Sequence, residues 1–428
     1  MIAEKSLPTF VETQTKLPMT PPEYDHIGIR RGGTSHPWGM ASNALSSILR
    51  TRSMKKTEVN ISLNGHFNSK VYTTDSEVSG NVTISPTRNM QFDRVDISLV
   101  GSGETRRDGP DITHLTTHRF LRLEMPIDDD EYPANHVFEA GKGYTFAFNF
   151  NIPAHLTSQA CIHKVESDHV WEKHMCLPPT VGGWEKDDLA PEMARISYSI
   201  KACVLKKSKQ GPVVISESSH PINVMPSTFE EPPLSITKSD DLYALERTKN
   251  VRKNMFSAVQ GRISAVAAEP SAIHLSREGH EASPSTIPVS LTFEPSAADV
   301  IPPQFTSASI KIQAHTWFRD QPMTRLPNLG GQTDNFAYPA SVSLRKTKHS
   351  VEWTQNVDME QSDKGSPIFH TATIQVPFKL PTEDKMFIPT FLLVHYREGL
   401  HSSACSGGRY QGGTDCSCTG GHGLSLIF

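Results

Sequence analysis

Apolar and polar residues alternate at every second position along much of the chain between residues 58 and 391. The clearest runs are Tyr144, Phe146, Phe148, Phe150 and Ile152 in one segment, and Ile196, Tyr198, Ile200, Ala202 and Val204 in another. Such alternation places one face of a strand on a core and the other face in water. No helical period of comparable strength is present. The pattern therefore predicts β-strands, separated by turns rich in Pro, Gly, Asn and Asp.

The strand pattern falls into two regions, which predicts two domains. Residues 58–226 carry enough alternating segments for an antiparallel β-sandwich. The pattern loosens over residues 227–285, which we interpret as a linker and the start of a second domain, with residues 242–266 either helical or the first strand. It returns over residues 286–391, which predict a second β-sandwich. The predicted fold class is all-β, with two tandem β-sandwich domains.

The two ends of the chain differ in character from these regions. Residues 1–57 are rich in Pro, Thr, Ser and Gly and show no lasting period, which predicts a disordered arm. Residues 392–428 form an atypical Gly/Cys-rich tail without a sustained strand period. Two interpretations of the tail stay open. It is either a genuine disordered tail, or it is translated out of frame after about Phe391, which would leave the second sandwich incomplete and with an open edge.

Composition and charge narrow the class of protein. The 42 basic residues nearly balance the 46 acidic ones, and the net charge of -4 does not indicate a nucleic-acid partner. No apolar stretch reaches the length of about 18 residues that a membrane-spanning helix needs. The N-terminal sequence lacks a charged-then-apolar signal segment, so we expect a cytoplasmic protein. The 6 cysteines are unevenly placed, and a disulfide framework is not expected.

A short proline motif lies in the predicted arm. Pro21, Pro22 and Tyr24 form a Pro-Pro-x-Tyr sequence. Two prolines favour the polyproline II conformation at little entropic cost, and their rings stack in an aromatic groove. The tyrosine adds an aromatic anchor with a polar tip. WW domains recognise this combination, so the motif predicts a WW-domain partner. The alternative is a proline-rich tail without a partner.

Three longer segments resemble the arrestin fold. Residues 77–107 (EVSGNVTISPTRNMQFDRVDISLVGSGETRR) are similar to an early segment of the arrestin N-domain, and residues 136–156 (HVFEAGKGYTFAFNFNIPAHL) to a later strand of it. Residues 177–204 (LPPTVGGWEKDDLAPEMARISYSIKACV) resemble a segment of fungal α-arrestin-like proteins. The resemblance covers about residues 58–391. With its Pro-Pro-x-Tyr motif, the chain resembles the arrestin-related trafficking adaptors, and the N-terminal placement of the motif is similar to that of Bul-type adaptors.

The resemblance implies an adaptor. Pro21, Pro22 and Tyr24 would bind the WW domains of a Nedd-type HECT ubiquitin ligase, and the sandwiches would dock on cytosolic segments of membrane transporters or receptors. Ubiquitination, endocytosis and trafficking of that cargo would follow. Because such a protein acts through proximity, it needs neither catalytic residues nor a cofactor. Its expected location is cytoplasmic and peripheral, at the plasma membrane or endosomes.

A group of lysines lies in the second half of the first predicted sandwich. Its members are Lys201, Lys206, Lys207 and Lys209. We interpret them as a solvated basic edge. Two further roles stay open, namely acceptance of ubiquitin and contact with anionic lipid headgroups, as in related proteins.

Two other classes of function stay open. One is a sorting or scaffold subunit of the arrestin fold, of retromer type, for which the Pro-Pro-x-Tyr motif would be incidental. The other is a β-sandwich enzyme or carbohydrate-binding module, although no Gly-x-Ser-x-Gly, Gly-x-x-x-x-Gly-Lys or His-Glu-x-x-His sequence occurs. The acidic residues 128–131 predict a hairpin loop, and Asp187 and Asp188 are predicted to lie on the surface.

One set of residues has the composition of a zinc site. Cys161, His163, His174 and Cys176 would supply two thiolates and two imidazoles. The single residue between the members of each pair is unusual for a structural zinc site, although residues i and i+2 of a strand do share a face. A loop with incidental His and Cys is the alternative, and we predict no metal site.

Overall fold

The structure is a computed structural model that describes residues 27–30, 57–108, 112–157, 164–209, 211–227, 246–254, 256–268, 270, 273–319, 337–357, 368–389, 391–393 and 417–427. Strands dominate these residues, with one α-helix and two short 3-10 helices among them. The strands build two β-sandwiches that follow one another along the chain. The predicted all-β fold class is confirmed.

The first sandwich contains the strands of the N-terminal half. They are β1 (Ile27–Arg30), β2 (Glu58–Leu63), β3 (Val71–Tyr72), β4 (Glu77–Ser85), β5 (Met90–Gln91), β6 (Arg94–Asp108), β7 (Ile112–Met125), β8 (Val137–Phe138), β9 (Tyr144–Asn151), β10 (Ala194–Ser208) and β11 (Gly211–Val224). A 6-stranded sheet has the order β1-β7-β6-β10-β11-β3, and a 3-stranded sheet has the order β2-β4-β9. β5 and β8 pair separately.

The two alternating runs of the sequence supply opposite sides of the first core. In β9, Phe146, Phe148 and Phe150 are buried and the residues between them are exposed. In β10, Ile196 and Ile200 are buried on the facing sheet. All five belong to one apolar cluster. Burial of this alternating face holds the register, because a slip of one residue would turn every apolar side chain outward.

Helical segments occupy the loops of the first sandwich. The helix α1 (Asp168–Met175) begins after Ser167, whose side chain accepts a hydrogen bond from the main-chain N–H of Val170. Two 3-10 helices, Asp129–Glu131 and Ala134–His136, lie between β7 and β8. The sequence pattern gave no helix here, because α1 has only 8 residues and a period of 3.6 cannot repeat convincingly over two turns.

The second sandwich contains the remaining strands. They are β12 (Glu246–Arg252), β13 (Val259–Ala267), β14 (Ser285–Pro295), β15 (Ser307–Arg319), β16 (Ala337–Ser343), β17 (Thr347–Lys348), β18 (Thr354–Val357), β19 (Ile368–Phe378), β20 (Phe391–Leu392) and β21 (Ser417–Ile427). One 5-stranded sheet has the order β12-β13-β14-β19-β18. The facing sheet has the order β16-β15-β21-β20, with β17 also on β15. Of the two options for residues 242–266, the structure shows strands, β12 and β13.

The tail differs from its sequence-based expectation. In the segment 392–428, β21 pairs antiparallel with β15 from Ser309↔Ile427 to Arg319↔Ser417. This corrects the expectation of a tail without strands. Main-chain N–H and C=O groups make the ladder hydrogen bonds, so a glycine-rich strand can pair without apolar alternation.

Candidate functional sites

A loop of the first sandwich meets a segment of the second. The carboxylate Oδ2 of Asp187 accepts a hydrogen bond from Nζ of Lys385 at 2.5 Å, and the main-chain O of Asp187 accepts one from the N–H of Met386 at 3.0 Å. The hydrogen bond from Lys385 lowers the pKa of Asp187 from its usual value. We call this region, residues 182–190 against residues 380–388, the junction.

Asp188 lies beside this contact but is buried, which corrects its predicted surface position. Only 7% of the residue is exposed. Its Oδ2 accepts a hydrogen bond from the N–H of Gly182 at 2.6 Å, and its Oδ1 accepts one from the N–H of Ala190 at 3.2 Å. Burial raises the pKa of the carboxyl despite these hydrogen bonds. The side chain therefore fixes the path of the loop that presents Asp187.

Further polar contacts cross the junction. Nζ of Lys186 donates to the main-chain O of Thr382 at 2.6 Å, and Nη2 of Arg277 donates to Oγ of Ser76 at 2.8 Å. Within the second sandwich, the hydroxyl of Thr382 donates to the main-chain O of His280 at 2.7 Å, which holds the acceptor of Lys186 in place. The bonds made by Lys186 and Arg277 therefore link the two sandwiches at two separate points.

Apolar residues also cross the junction in both directions. Ile388, Phe391 and Leu393 belong to the apolar cluster of the first sandwich, although Phe391 lies in β20 of the second sandwich and the other two flank that strand. Leu189, in the loop of the first sandwich, packs in a cluster with Leu380 of the second. Within the Phe-Ile-Pro-Thr-Phe sequence, Phe387, Ile388 and Phe391 are thus part of the contact between the domains. Sequence reasoning missed this role, because alternation reports burial without naming the partner.

The residues of the Pro-Pro-x-Tyr motif, Pro21, Pro22 and Tyr24, lie outside the described residues. The first described strand after them, β1, begins at Ile27 and pairs antiparallel with β7. WW-domain binding stays a prediction.

Only two of the four residues with the composition of a zinc site lie among the described residues. Cys161 and His163 lie outside the described residues. His174 is buried in α1, and Sγ of Cys176, just after the helix, lies 3.3 Å from the main-chain O of Glu172. Burial raises the pKa of the Cys176 thiol, whereas a metal ligand requires the thiolate. The described residues contain no group of three or more His, Cys, Asp and Glu side chains suited to a metal ion.

The four lysines of the predicted basic edge differ in whether they form an ion pair. Nζ of Lys201 lies 3.1 Å from the carboxylate of Glu217, across the β10–β11 pair. Lys206, Lys207 and Lys209 are exposed near the end of β10. The acidic residues 128–131 are exposed in a 3-10 turn, consistent in position with the predicted loop.

Comparison with protein families decides among sandwich folds. Residues 59–219 match the family model described as Arrestin (or S-antigen), N-terminal domain. This part of the chain is arrestin-like. The match runs from β2 into β11 and therefore includes α1, the loop of Asp187 and Asp188, and the exposed lysines.

No curated protein matches the chain. Among the described residues, no helix has both the length and the apolar character to cross a bilayer.

Proposed function

We propose that this arrestin-like chain is an adaptor that recruits a Nedd-type HECT ubiquitin ligase to membrane transporters or receptors. The observation that carries the proposal is the order of two features along one chain. Pro21, Pro22 and Tyr24 precede a domain that matches the arrestin N-terminal family over residues 59–219. The motif would bind a WW domain, and the sandwiches would bind cytosolic segments of the cargo. Ubiquitination, endocytosis and trafficking of the cargo would follow.

The proposed mechanism is one of proximity. A ligase bound at one part of the chain and a cargo bound at another become a single complex, so the effective concentration of cargo at the ligase rises without any new catalytic group. Junction contacts such as Asp187–Lys385 join the two sandwiches. A fixed relation between the two domains suits an adaptor, because it limits where a bound cargo can lie.

A second Pro-Pro-x-aromatic sequence lies in the second sandwich, where it packs into the fold and is not free to bind a WW domain. Pro302, Pro303 and Phe305 have the same spacing as the motif, with Phe in place of Tyr. The main-chain O of Pro303 accepts a hydrogen bond from Nε1 of Trp353 at 2.9 Å, and Phe305 packs against the second core. These contacts make the sequence part of the fold. We therefore assign WW binding to Pro21, Pro22 and Tyr24 alone.

The test is a calorimetric titration of the full chain with a WW domain of a Nedd-type ligase. We expect a dissociation constant on the order of micromolar, which corresponds to a binding free energy of about −8 kcal/mol. Tyr24→Ala should weaken binding at least about tenfold, since it removes the aromatic anchor. Tyr338→Ala is the matched control, because Tyr338 is an exposed tyrosine (41%) of the second sandwich. An intact chain that does not bind would contradict the proposal and favour an arrestin-like sorting or scaffold protein.

The proposed location is cytoplasmic and peripheral, at the plasma membrane or endosomes. It follows from the proposed cargo, whose cytosolic segments lie at these membranes. Contact with anionic lipid headgroups would add to the residence of the adaptor there.

A further inference from the structure

A short loop between β2 and β3, residues 64–70, contacts the first sandwich through His66. This histidine is half-buried, and its Nδ1 lies 3.2 Å from the hydroxyl of Tyr72 in β3. Its ring also meets the ring of His220 in β11 edge to face, with 5.0 Å between the centroids and an interplanar angle of 79°. Tyr72 itself is only 1% exposed. His66 therefore connects the loop to a buried residue and to the six-stranded sheet.

The rest of the loop makes few contacts with the sandwich. Its exposed residues are Asn64, Gly65, Phe67, Asn68 and Ser69. At its start, the N–H of Asn64 donates to the main-chain O of Ser79 at 2.9 Å. At its end, Lys70 closes the loop on itself, because its N–H donates to the O of Phe67 and its Nζ to the O of Gly65, both at 2.9 Å. Segments with few buried apolar contacts open at a low cost in free energy, so a small change at the histidine can shift the loop between a closed and an open state.

The groups around His66 oppose a positive charge on its ring. Nζ of Lys70 lies 4.8 Å from the centroid of the Tyr72 ring, so a permanent positive charge lies beside the imidazole. The ionisable groups that act on His66 are His220 and Lys70, and no carboxylate is among them. Burial lowers the pKa of His66, and the charges of His220 and Lys70 lower it further. A proton on His66 is therefore disfavoured while the loop is closed.

We propose that residues 64–70 form a pH-sensitive cover of the first sandwich, closed over Tyr72 and His220 while His66 is neutral and open once His66 takes up a proton. In the closed state, the phenol of Tyr72 can donate to the neutral ring or accept from it. In the open state, the imidazolium reaches water and moves away from the ring of His220. The cover lies within the arrestin-like domain, so it does not depend on ligase recruitment.

Linkage between protonation and closure sets the direction of the response. Closure lowers the pKa of His66 below its ordinary value of 6.5, so the closed state binds the proton more weakly than the open state does. Closure is therefore fully favoured above about pH 6.5, and it weakens as the pH falls through the closed-state pKa.

Opening changes the surface that the first sandwich presents. β3 is the last strand of the six-stranded sheet, and it pairs with β11 only at Asn223↔Val71 and Val224↔Tyr72. Phe67 of the loop is already 53% exposed. Displacing the loop adds the ring of Tyr72 to the exposed aromatic surface. Mild acid therefore gives this edge of the domain an aromatic surface that the closed state lacks.

The test is hydrogen exchange of the full chain from about pH 5.5 to about pH 7.5, expressed as protection factors so that the intrinsic pH dependence of exchange cancels. In the parent, protection of the amides of residues 64–70, including the N–H of Lys70, should fall at least about threefold on acidification. The N–H of Gly141, which donates to the O of Pro86 at 2.9 Å in another turn of the same sandwich, should keep its protection. Unchanged protection of residues 64–70, or an equal loss at Gly141, would overturn the proposal.

Variants assign the response to the histidine. His66→Gln keeps a polar side chain that cannot take up the proton, so its pH dependence should vanish whatever its baseline protection. Lys70→Met removes the permanent charge and keeps the apolar stem, so the fall in protection should become smaller. His274→Gln replaces an exposed histidine of the second sandwich and should respond as the parent does. Unchanged thermal unfolding of each variant at about pH 7.5 shows that the fold is intact. The same acid response in His66→Gln as in the parent would overturn the proposal and assign the response to another group.

Discussion

Nζ of Lys385 lies 2.5 Å from Oδ2 of Asp187, and this ion pair joins residues 198 positions apart in the two sandwiches. The side chains are 28% and 57% exposed, respectively. Exposed ion pairs contribute about 0–1 kcal/mol, because water screens the attraction and ordering two side chains costs entropy. The pair therefore marks the place where the domains are in contact, but it contributes little to the stability of that contact. Apolar contacts such as that of Leu189 supply most of the stability of the junction.

Leu189→Ala should destabilise the protein much more than Asp187→Asn. Leu189 is 6% exposed and packs against the cluster of Leu380 and Phe387 in the second sandwich. Truncating a buried leucine costs about 2–5 kcal/mol, whereas loss of the exposed pair should cost less than about 1 kcal/mol. Urea unfolding monitored by tryptophan fluorescence measures both. Similar losses would show that the ion pair stabilises the junction as much as the apolar burial of Leu189 does, which would contradict this account.

The two neighbouring carboxyls should respond to pH in opposite directions. The pKa of Asp187 is lowered in the fold, so its contribution to stability is present above about pH 4 and is lost as the pH falls through the folded-state pKa. The pKa of Asp188 is raised by burial, so its contribution is fully present below about pH 4 and is lost as the pH rises through the folded-state pKa.

These opposite pH dependences are tested by measuring the unfolding free energies of the parent, Asp187→Asn and Asp188→Asn from about pH 3 to pH 7. The difference between Asp187→Asn and the parent should disappear on acidification. The difference between Asp188→Asn and the parent should change with the opposite slope, on top of a constant cost for altering the hydrogen bonds from Gly182 and Ala190. Two variants with the same slope would contradict the burial of Asp188.

Gly279→Ala should be costlier than Gly141→Ala. Both glycines have a positive φ, of 69° and 79° respectively, so alanine is strained at either position. A Cβ at Gly279 would lie 2.8 Å from Sδ of the buried Met386, while a Cβ at Gly141 would meet nothing within 4 Å. Overpacking of this kind typically costs about 1–3 kcal/mol. Chemical unfolding of both variants gives the difference, and equal losses would show that Met386 moves aside without cost.

Removal of residues 394–428 should expose a sheet edge. β15 pairs with β16 on one side and with β21 on the other. Without β21, the main-chain groups of β15 from Ser309 to Arg319 lose this partner, and such an edge promotes association with other chains. Light scattering after size-exclusion chromatography should detect larger species for the truncated chain. A monodisperse truncated chain of unchanged stability would show that β21 is dispensable and would favour the out-of-frame interpretation of the tail.

That interpretation also has a direct test. Sequencing genomic DNA and the mature transcript across the codon of Phe391 would show whether the frame changes there. An uninterrupted frame in both would rule it out.

Much of the fold followed from alternation alone. The runs at Phe146–Phe150 and Ile196–Ile200 became β9 and β10, because each alternate residue contributes to one shared core. The alternation did not predict elements whose position depends on other interactions, such as helix capping or main-chain pairing. The helix α1 depends on the cap at Ser167 and is too short to show a period, and β21 depends on main-chain pairing with β15. Neither leaves a pattern of apolar residues.

The sites were less predictable than the fold. Asp187 and Asp188 are adjacent and identical in type, yet one forms an exposed ion pair and the other is buried with two main-chain partners. Only the three-dimensional path of the loop separates them. The lysines of the predicted basic edge were visible in the sequence, but the register of the β10–β11 hairpin was needed to separate Lys201, which pairs with Glu217, from the exposed Lys206, Lys207 and Lys209. The proposed WW binding of Pro21, Pro22 and Tyr24 is the reverse case, since it rests on the local sequence alone.

The most direct test of the adaptor proposal is the fate of surface proteins. Cells that contain a Nedd-type ligase and express either the parent chain or Tyr24→Ala are compared by quantitative proteomics of ubiquitinated and surface-exposed membrane proteins. We predict that the parent chain increases ubiquitination and lowers the surface level of a defined set of transporters or receptors, and that Tyr24→Ala abolishes both effects at equal expression. Identical surface proteomes in the two cell lines would contradict the proposal that this arrestin-like chain couples a ubiquitin ligase to membrane cargo.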